Sequence, residues 1–521
     1  MKSVLSIAAI VSSLCGFSAI AFGEADKIFD EYVAALKDGQ WEKAESYWVG
    51  EEITKSKLLG IEYIGYPAKY DCASPLTLHL DNIKSGLLSL DIDKPKIIND
   101  KATIDIRVYS QNDTIAYTYH AINTKSGWRL CSSLYAETRG WKVISKDYLR
   151  IHYADSSLLN NYAIDIANEF IESTGKTLGI SAEKMKAIKR VGIDYYLANE
   201  QQIKSLTGFA TKGMANFQYD AIITQYLPHP HEIVHLLINY DLQKLPLYTA
   251  PFIQEGLAVY LGGRWGKSAP AIFYFGEINL SLDMAKLSDM LTYSGFHGQI
   301  GSQDIAYAYA GLLSKYLIET YGMEKYKQLY RELSGSNSKI MAYSESDVKA
   351  QIETLYGVTW VDLEKGATDM ARQYEYCGIK PVRRMEWDDP PIIDDSLFSI
   401  FLSITGNTYH FIIKGKKDLA RGTILFKQRD IKIGKAYRSR LFAEQVQLMS
   451  YNGETYGIPF GPDEIGLYDY RTNTLLAKYV LGFSPSPDYW DQQNKTISFS
   501  LDKRLLDGEI PDYRLTVIPK K

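Results

Sequence analysis

Cysteine is scarce, four in 521 residues, and no two stand in a C-x-x-C arrangement. A zinc site built from thiolates is therefore not expected. Long runs of Lys or Arg are absent and the net charge is only −4, which gives no reason to expect a nucleic-acid or anionic-membrane partner. Beyond the N-terminal segment no stretch is long and apolar enough to span a bilayer. Internal repeats and low-complexity tracts are missing too. What remains is ordinary globular composition, 46% hydrophobic and 23% charged, with 40 tyrosines. A chain of 521 residues exceeds what one hydrophobic core holds, so about two to four domains are expected.

The N-terminus reads as an address. Lys2 supplies a positive charge, Val4 to Ala21 is apolar or small, and Ala19-Ile20-Ala21 is an A-x-A cleavage pattern. Residues 1–21 are read as a secretory signal peptide, and the mature protein as periplasmic or extracellular. A membrane anchor fits less well, because the run is short and no basic stop-transfer segment follows. Leu14 before Cys15 argues against a lipoprotein. Cys72, Cys131 and Cys377 then remain. They allow one bridge, Cys72 with Cys131, plus a spare, or equally three buried thiols.

Apolar spacing predicts two short helices between Glu24 and Trp48, carrying Ile28, Phe29, Tyr32, Val33 and Leu36, then Trp41, Ala44, Tyr47 and Trp48. Alternating runs follow at Ile104–Val108, Ile115–Tyr119 and Trp128–Cys131. Helices followed by antiparallel hairpins over 24–142 resemble the cone-shaped α+β fold of nuclear-transport-factor-like and SnoaL-like domains. From Tyr148 the pattern becomes mixed α/β: an amphipathic helix through Leu158–Phe170, a strand over Val191–Leu197, a helix at Glu200–Leu206 and a second strand from Phe217. Asp388-Asp389-Pro390-Pro391 marks a linker. Short alternating runs beyond it, with turns at Gly406-Asn407 and Asn452-Gly453, predict a β-sandwich or barrel.

Chemistry concentrates at His231-Glu232-Ile233-Val234-His235, an H-E-x-x-H. Residues four apart on a helix differ by about 40° in azimuth, so both imidazoles can address one ion. Glu232, about 100° round from His231, stands beside the ion, where it can take a proton from water. By itself the motif arises by chance on the order of once in a hundred such chains. Pro230 suits a first helical position, where its missing N–H costs nothing. Leu236, Leu237 and Ile238 make the other faces apolar, so the helix is expected to be buried. Glu255, in Glu255-Gly256-Leu257-Ala258-Val259-Tyr260, follows His235 by 20 positions. That interval lets a second helix return and offer a third ligand, with Gly256 and Ala258 small enough to permit close approach. Alone, Glu255 reads as a carboxylate in the first turns of a helix opened by Pro251; with the upstream motif it reads as a metal ligand.

These motifs resemble the gluzincin metallopeptidases, the peptidase MA-like group related to thermolysin and the zinc aminopeptidases, over about 148–375. The interval from H-E-x-x-H to Glu255 equals that of thermolysin, and Glu-Gly-x-Ala-x-Tyr is similar to the aminopeptidase third-ligand helix. The resemblance implies Zn2+ on His231, His235 and Glu255, Glu232 as base, and a cleft-side strand, Phe217–Thr224, whose edge pairs with an extended substrate. It also implies a tyrosine donor for the oxyanion, Tyr307, with Tyr309 in reserve; His297 can do that work from a loop. Two features depart from the family. Val259 stands where thermolysin has an acid that orients a histidine, and the aminopeptidase G-x-M-E-N is absent. His229 is expected to face solvent, and Asn239 to support the site or face water.

The expectation is thus a multidomain protein: a signal peptide at 1–21, an α+β cone-like domain at 24–142, a mixed α/β gluzincin-like metallopeptidase domain at 148–378 and an all-β accessory domain at 395–521. Its function would be zinc-dependent hydrolysis of a peptide or protein substrate, with no nucleic-acid partner and no stable membrane insertion after signal removal. The alternatives are an exported binding or scaffold protein with a weakly catalytic domain of this kind, and hydrolysis of a non-peptide amide.

Overall fold

The computed structural model describes 25–372 apart from 26, 60–68, 160, 265–268, 282 and 300–302. Past Arg372 it describes 379–381, 391, 393–394, 398–405, 408–416, 422–428, 454–460, 464–469, 474–480, 490–491, 496–502 and 513–519. The signal-peptide segment, Cys377, linker residues 388–390 and the Asn452-Gly453 turn lie outside these residues. Two compact units emerge, neither continuous in sequence: 1–158 with 180–225 and 236–248, and 159–179 with 226–235 and 249–521.

In the first unit, a helix over 27–37 and the helix Trp41–Ser46 precede an antiparallel sheet. Its strands are β1 (Ser89–Ile92), β2 (Lys96–Ile98), β3 (Lys101–Tyr109), β4 (Thr114–Thr124) and β5 (Gly127–Cys131), in the order β1-β3-β4-β5 with β2 also on β3. Strand alternation sorts β3: Ile104, Ile106 and Val108 point into the core, while Asp105 and Arg107 pair outward with Lys96 and Asp93. The core joins those residues to Phe29, Tyr32, Leu36, Trp48, Tyr119 and Trp128. Within it Asp71 Oδ2 accepts from the hydroxyls of Tyr32 and Tyr119, each at 2.7 Å. Cys72 and Cys131 are both buried free thiols, so the bridged alternative is not what forms.

A second sheet in this unit comprises β6 (Lys142–Lys146), β7 (Leu149–Tyr153), β8 (Ile193–Leu197), β9 (Gly213–Asn216) and β10 (Ala221–Thr224), ordered β6-β7-β8-β10-β9. Its centre, β7-β8-β10, is parallel, and β8 is buried along its whole length. The expected strand from Phe217 begins only at Ala221. It is paired on both flanks, parallel to β8 and antiparallel to β9, so it offers no free edge to a substrate. Charges pair around Asp194: Lys55 Nζ at 2.7 Å, Arg150 Nη2 at 2.7 Å and His152 Nε2 at 2.8 Å. Lys69 Nζ meets Asp220 at 2.7 Å. Asp194 and Asp220 thus each have a cation to offset their desolvation.

The second unit is mainly helical up to Arg372. Asn161–Thr177, Pro251–Gly262, Ala269–Ser281, Gln303–Tyr321, Met323–Glu332, Glu345–Tyr356 and Trp360–Arg372 are its main helices. A Cβ on Gly256 would lie 2.5 Å from the Ala310 carbonyl oxygen, so this glycine lets Pro251–Gly262 close on Gln303–Tyr321. The small residue serves a different neighbour from the one expected. Tyr326 ties the same pair, donating to the Ile253 carbonyl at 2.8 Å with Ser314 Oγ at 2.6 Å. Past residue 379 every described element is a strand, in two antiparallel sheets. Phe398–Thr405 and Thr408–Gly415 pair from Phe398↔Gly415 to Thr405↔Thr408.

Candidate metal centre

Pro230 opens the helix Pro230–Leu242, whose first turns carry His231, Glu232 and His235. Pro251 opens Pro251–Gly262 in the same way, and Glu255 sits one turn in. Gly262 fits the two together: a Cβ there would lie 2.7 Å from His231 N and from the Pro230 carbonyl carbon. Only a glycine lets the end of the glutamate helix rest against the start of the histidine helix.

His231, His235 and Glu255 each offer a ligand atom within 4.8 Å of the others, the one such group among the described residues. The two Nε2 atoms converge on a single oxygen, Glu255 Oε2, at 2.9 Å from His231 and 3.3 Å from His235. Tetrahedral bonds of about 2 Å hold ligand atoms about 3.3 Å apart, so the separations suit a shared ion. Plain imidazole–carboxylate hydrogen bonds would give similar values. The other ring nitrogen of His231, Nδ1, lies 2.7 Å from the Gly263 carbonyl oxygen, which can only accept. Nδ1 therefore carries the proton, and in a neutral ring Nε2 is a bare lone pair facing a carboxylate. Such a contact requires a second ring proton or a cation beside both atoms, and the Arg264 guanidinium, 3.4 Å from His231 Nε2 and 3.7 Å from Glu255 Oε2, is one such cation. A neutral imidazole fixed by a carbonyl on its far nitrogen, beside a carboxylate, is a donor set that fits zinc.

The same side chains shift one another's proton equilibria. Burial alone would raise Glu255, but His235 and His231 outweigh it and hold the carboxyl well below its ordinary range. His235 moves up: burial opposes its charged form, and Glu255 prevails. At Glu232 burial again pushes upward, and the imidazoles of His229, His231 and His235 more than reverse it. Glu232 is thus an ionised carboxylate able to receive a proton. His229 does not face solvent. Its ring meets Tyr226 at 5.3 Å and Glu232 Oε1 at 3.8 Å, and burial pushes its pKa down to about 4.

Tyr307 lies close by, its ring centroid 6.3 Å from that of His231, and burial raises its phenol well above the ordinary value. It remains a protonated donor. Tyr309 is fully buried and donates to the Ala285 carbonyl at 3.2 Å, so the reserve candidate is engaged elsewhere. His297 belongs to the π-helical turn Gly295–Gln299 and packs on Tyr293 and Phe296. Asn239 is buried and does not face water. Two participants escaped the sequence reading. The Gly263 carbonyl takes over the orienting role for which Val259 supplied no acid, and Arg264 Nη1 stands 3.4 Å from His231 Nε2 and 3.7 Å from Glu255 Oε2. The signal for both was Gly262-Gly263, a helix stop that returns the chain over the histidines. No family model, curated protein or solved structure matches this chain.

Proposed function

We propose that this protein is a zinc-dependent peptidase of gluzincin type. The observation that carries the reading is the convergence of His231 Nε2 and His235 Nε2 on Glu255 Oε2 while Gly263 fixes the His231 tautomer. His231, His235 and Glu255 would hold the zinc, which would supply a Lewis acid able to lower the pKa of water to about 7. Glu232 takes the proton as water attacks the amide carbonyl, and later passes it to the leaving nitrogen. Tyr307 supplies a neutral donor from the flank of His231. The resemblance to gluzincins in the H-E-x-x-H and the position of Glu255 supports peptide over other amides as substrate. The competing reading, an exported binding or scaffold protein, drew strength from the missing acid at Val259; the Gly263 carbonyl weakens that argument.

Glu232→Gln tests the proposal. The ligands stay and the base goes, so zinc content should match wild type while hydrolysis of a mixed peptide substrate falls by about 10²–10⁴. Equal turnover in both proteins would remove Glu232 from the mechanism. Zinc binding with no turnover in wild type would favour the scaffold reading.

A further inference from the structure

Arg264 brings a fixed positive charge to the ligand atoms, 3.4 Å from His231 Nε2 and 3.7 Å from Glu255 Oε2. Its Cζ lies 3.0 Å from the centroid of the Tyr307 ring, and Phe296 braces that ring at 4.9 Å and 67°. A guanidinium stays charged at every working pH and presents its donors in a rigid fork. Stacking on an aromatic face holds that fork in one orientation. Glu255 is the carboxylate that this guanidinium pairs with. A divalent ion bound by the same carboxylate would neutralise it and repel the guanidinium, and the guanidinium beside that ion would then favour a second anion.

Hydrolysis of an amide supplies one. As the water oxygen bonds to the carbonyl carbon and its proton passes to Glu232, the C=O π pair moves onto the carbonyl oxygen. When that pair returns, the C–N bond breaks and the Glu232 proton goes to the leaving nitrogen. We propose that Arg264, clamped on Tyr307, is the anion-binding group of this site. It receives the negative charge on the attacked carbonyl oxygen. This assignment rests on the peptidase reading above, and it makes Arg264, with Tyr307 as its support, a catalytic residue that the H-E-x-x-H pattern does not contain.

Arg264→Met and Arg264→Lys decide the matter, read by chelator-competition zinc affinity, by inorganic phosphate binding to the zinc-loaded protein and by peptide turnover. With Met, zinc should bind at least about tenfold tighter as the like charge is lost. Phosphate affinity should fall at least about tenfold, and kcat by about 10²–10³ with KM little changed. Lys, which keeps the charge without the fork, should retain part of the phosphate binding and leave zinc affinity near wild type. Weaker zinc binding in the Met variant, unchanged phosphate binding, or loss of the native circular dichroism spectrum in both variants would make Arg264 a structural partner of Glu255 and overturn the proposal. If the zinc and phosphate results hold but wild type cleaves no peptide, the peptidase reading fails and the anion site stands.

Discussion

Single residues in this chain carry proton equilibria that reach beyond the candidate metal centre. Asp71 is fully buried, and burial pushes its carboxyl from the usual 3.8 up to about 7, although the hydroxyls of Tyr119, Tyr32 and Ser74 favour the charged form. Its second oxygen, Oδ1, has no hydrogen-bond partner among the described residues, so nothing there stabilises the charged form. The folded pKa is raised, so between about pH 4 and 7 the folded state holds a proton that the unfolded chain has released. Stability contributed at this position is therefore present at acid pH, declines as pH rises through that window, and levels off above 7. Glu52, pushed by burial to about 7 as well, adds to the same trend. Asp71→Asn should reduce the fall in unfolding free energy between pH 4.5 and 7 by up to about 1.4 kcal/mol per pH unit. Urea midpoints at several pH values measure it, and an unchanged slope would assign the trend to other groups.

Between elements, the decisive contact is the one at Gly262. A methyl there would press on His231 N and the Pro230 carbonyl at 2.7–2.8 Å, and backbone cannot swing aside as a flexible side chain can. Gly262→Ala should shift the start of the histidine helix from the glutamate helix and lower zinc affinity about 10–100-fold, the scale on which misoriented ligands act. Gly298→Ala, where an added Cβ meets nothing within 4 Å, is the control and should leave zinc affinity alone. Equal zinc affinity in both variants would mean that the helix contact does not set the ligand geometry. The same contact shows which parts of the site could be read beforehand. His231, Glu232 and His235 lie within one helical turn or so of each other, and local periodicity fixes their relation. Glu255 was reachable because a 20-residue interval suits one helical return. Gly262 was not singled out, since sequence alone does not say which backbone a glycine will meet, and Gly256 proved to face Gln303–Tyr321. The Gly263 carbonyl was illegible for a related reason: every residue has one, and only the tertiary path selects it. Elsewhere the expected helix at Glu200–Leu206 appears as Glu200–Thr207, while β6, β7 and the helix Ala269–Ser281 were missed. That helix is apolar on nearly every face, so no stripe announced it.

At the scale of the whole chain, all three ligand residues lie in the second unit, on segments separate in sequence, 226–235 and 249–521. Zinc bound there would close a loop between His235 and Glu255 in the folded state and would have no comparable site in the unfolded chain, so binding would add to stability. The addition is RT ln(1 + [L]/Kd), about 2.7 kcal/mol at a hundredfold excess over Kd. Against a typical total of about 5–15 kcal/mol for a folded unit, that is large enough to move a denaturation midpoint plainly. Zinc should therefore raise the midpoint of the wild-type protein, and a chelator should return it. Glu255→Ala should abolish the shift at zinc concentrations that saturate wild type, because two imidazoles alone make a weak site. The comparison is of shifts within each protein, so any intrinsic effect of removing the carboxylate from His231 and His235 cancels. An equal zinc-induced shift in Glu255→Ala would place the third ligand outside the helix Pro251–Gly262, and the chemistry assigned to Glu232 would then lose its metal.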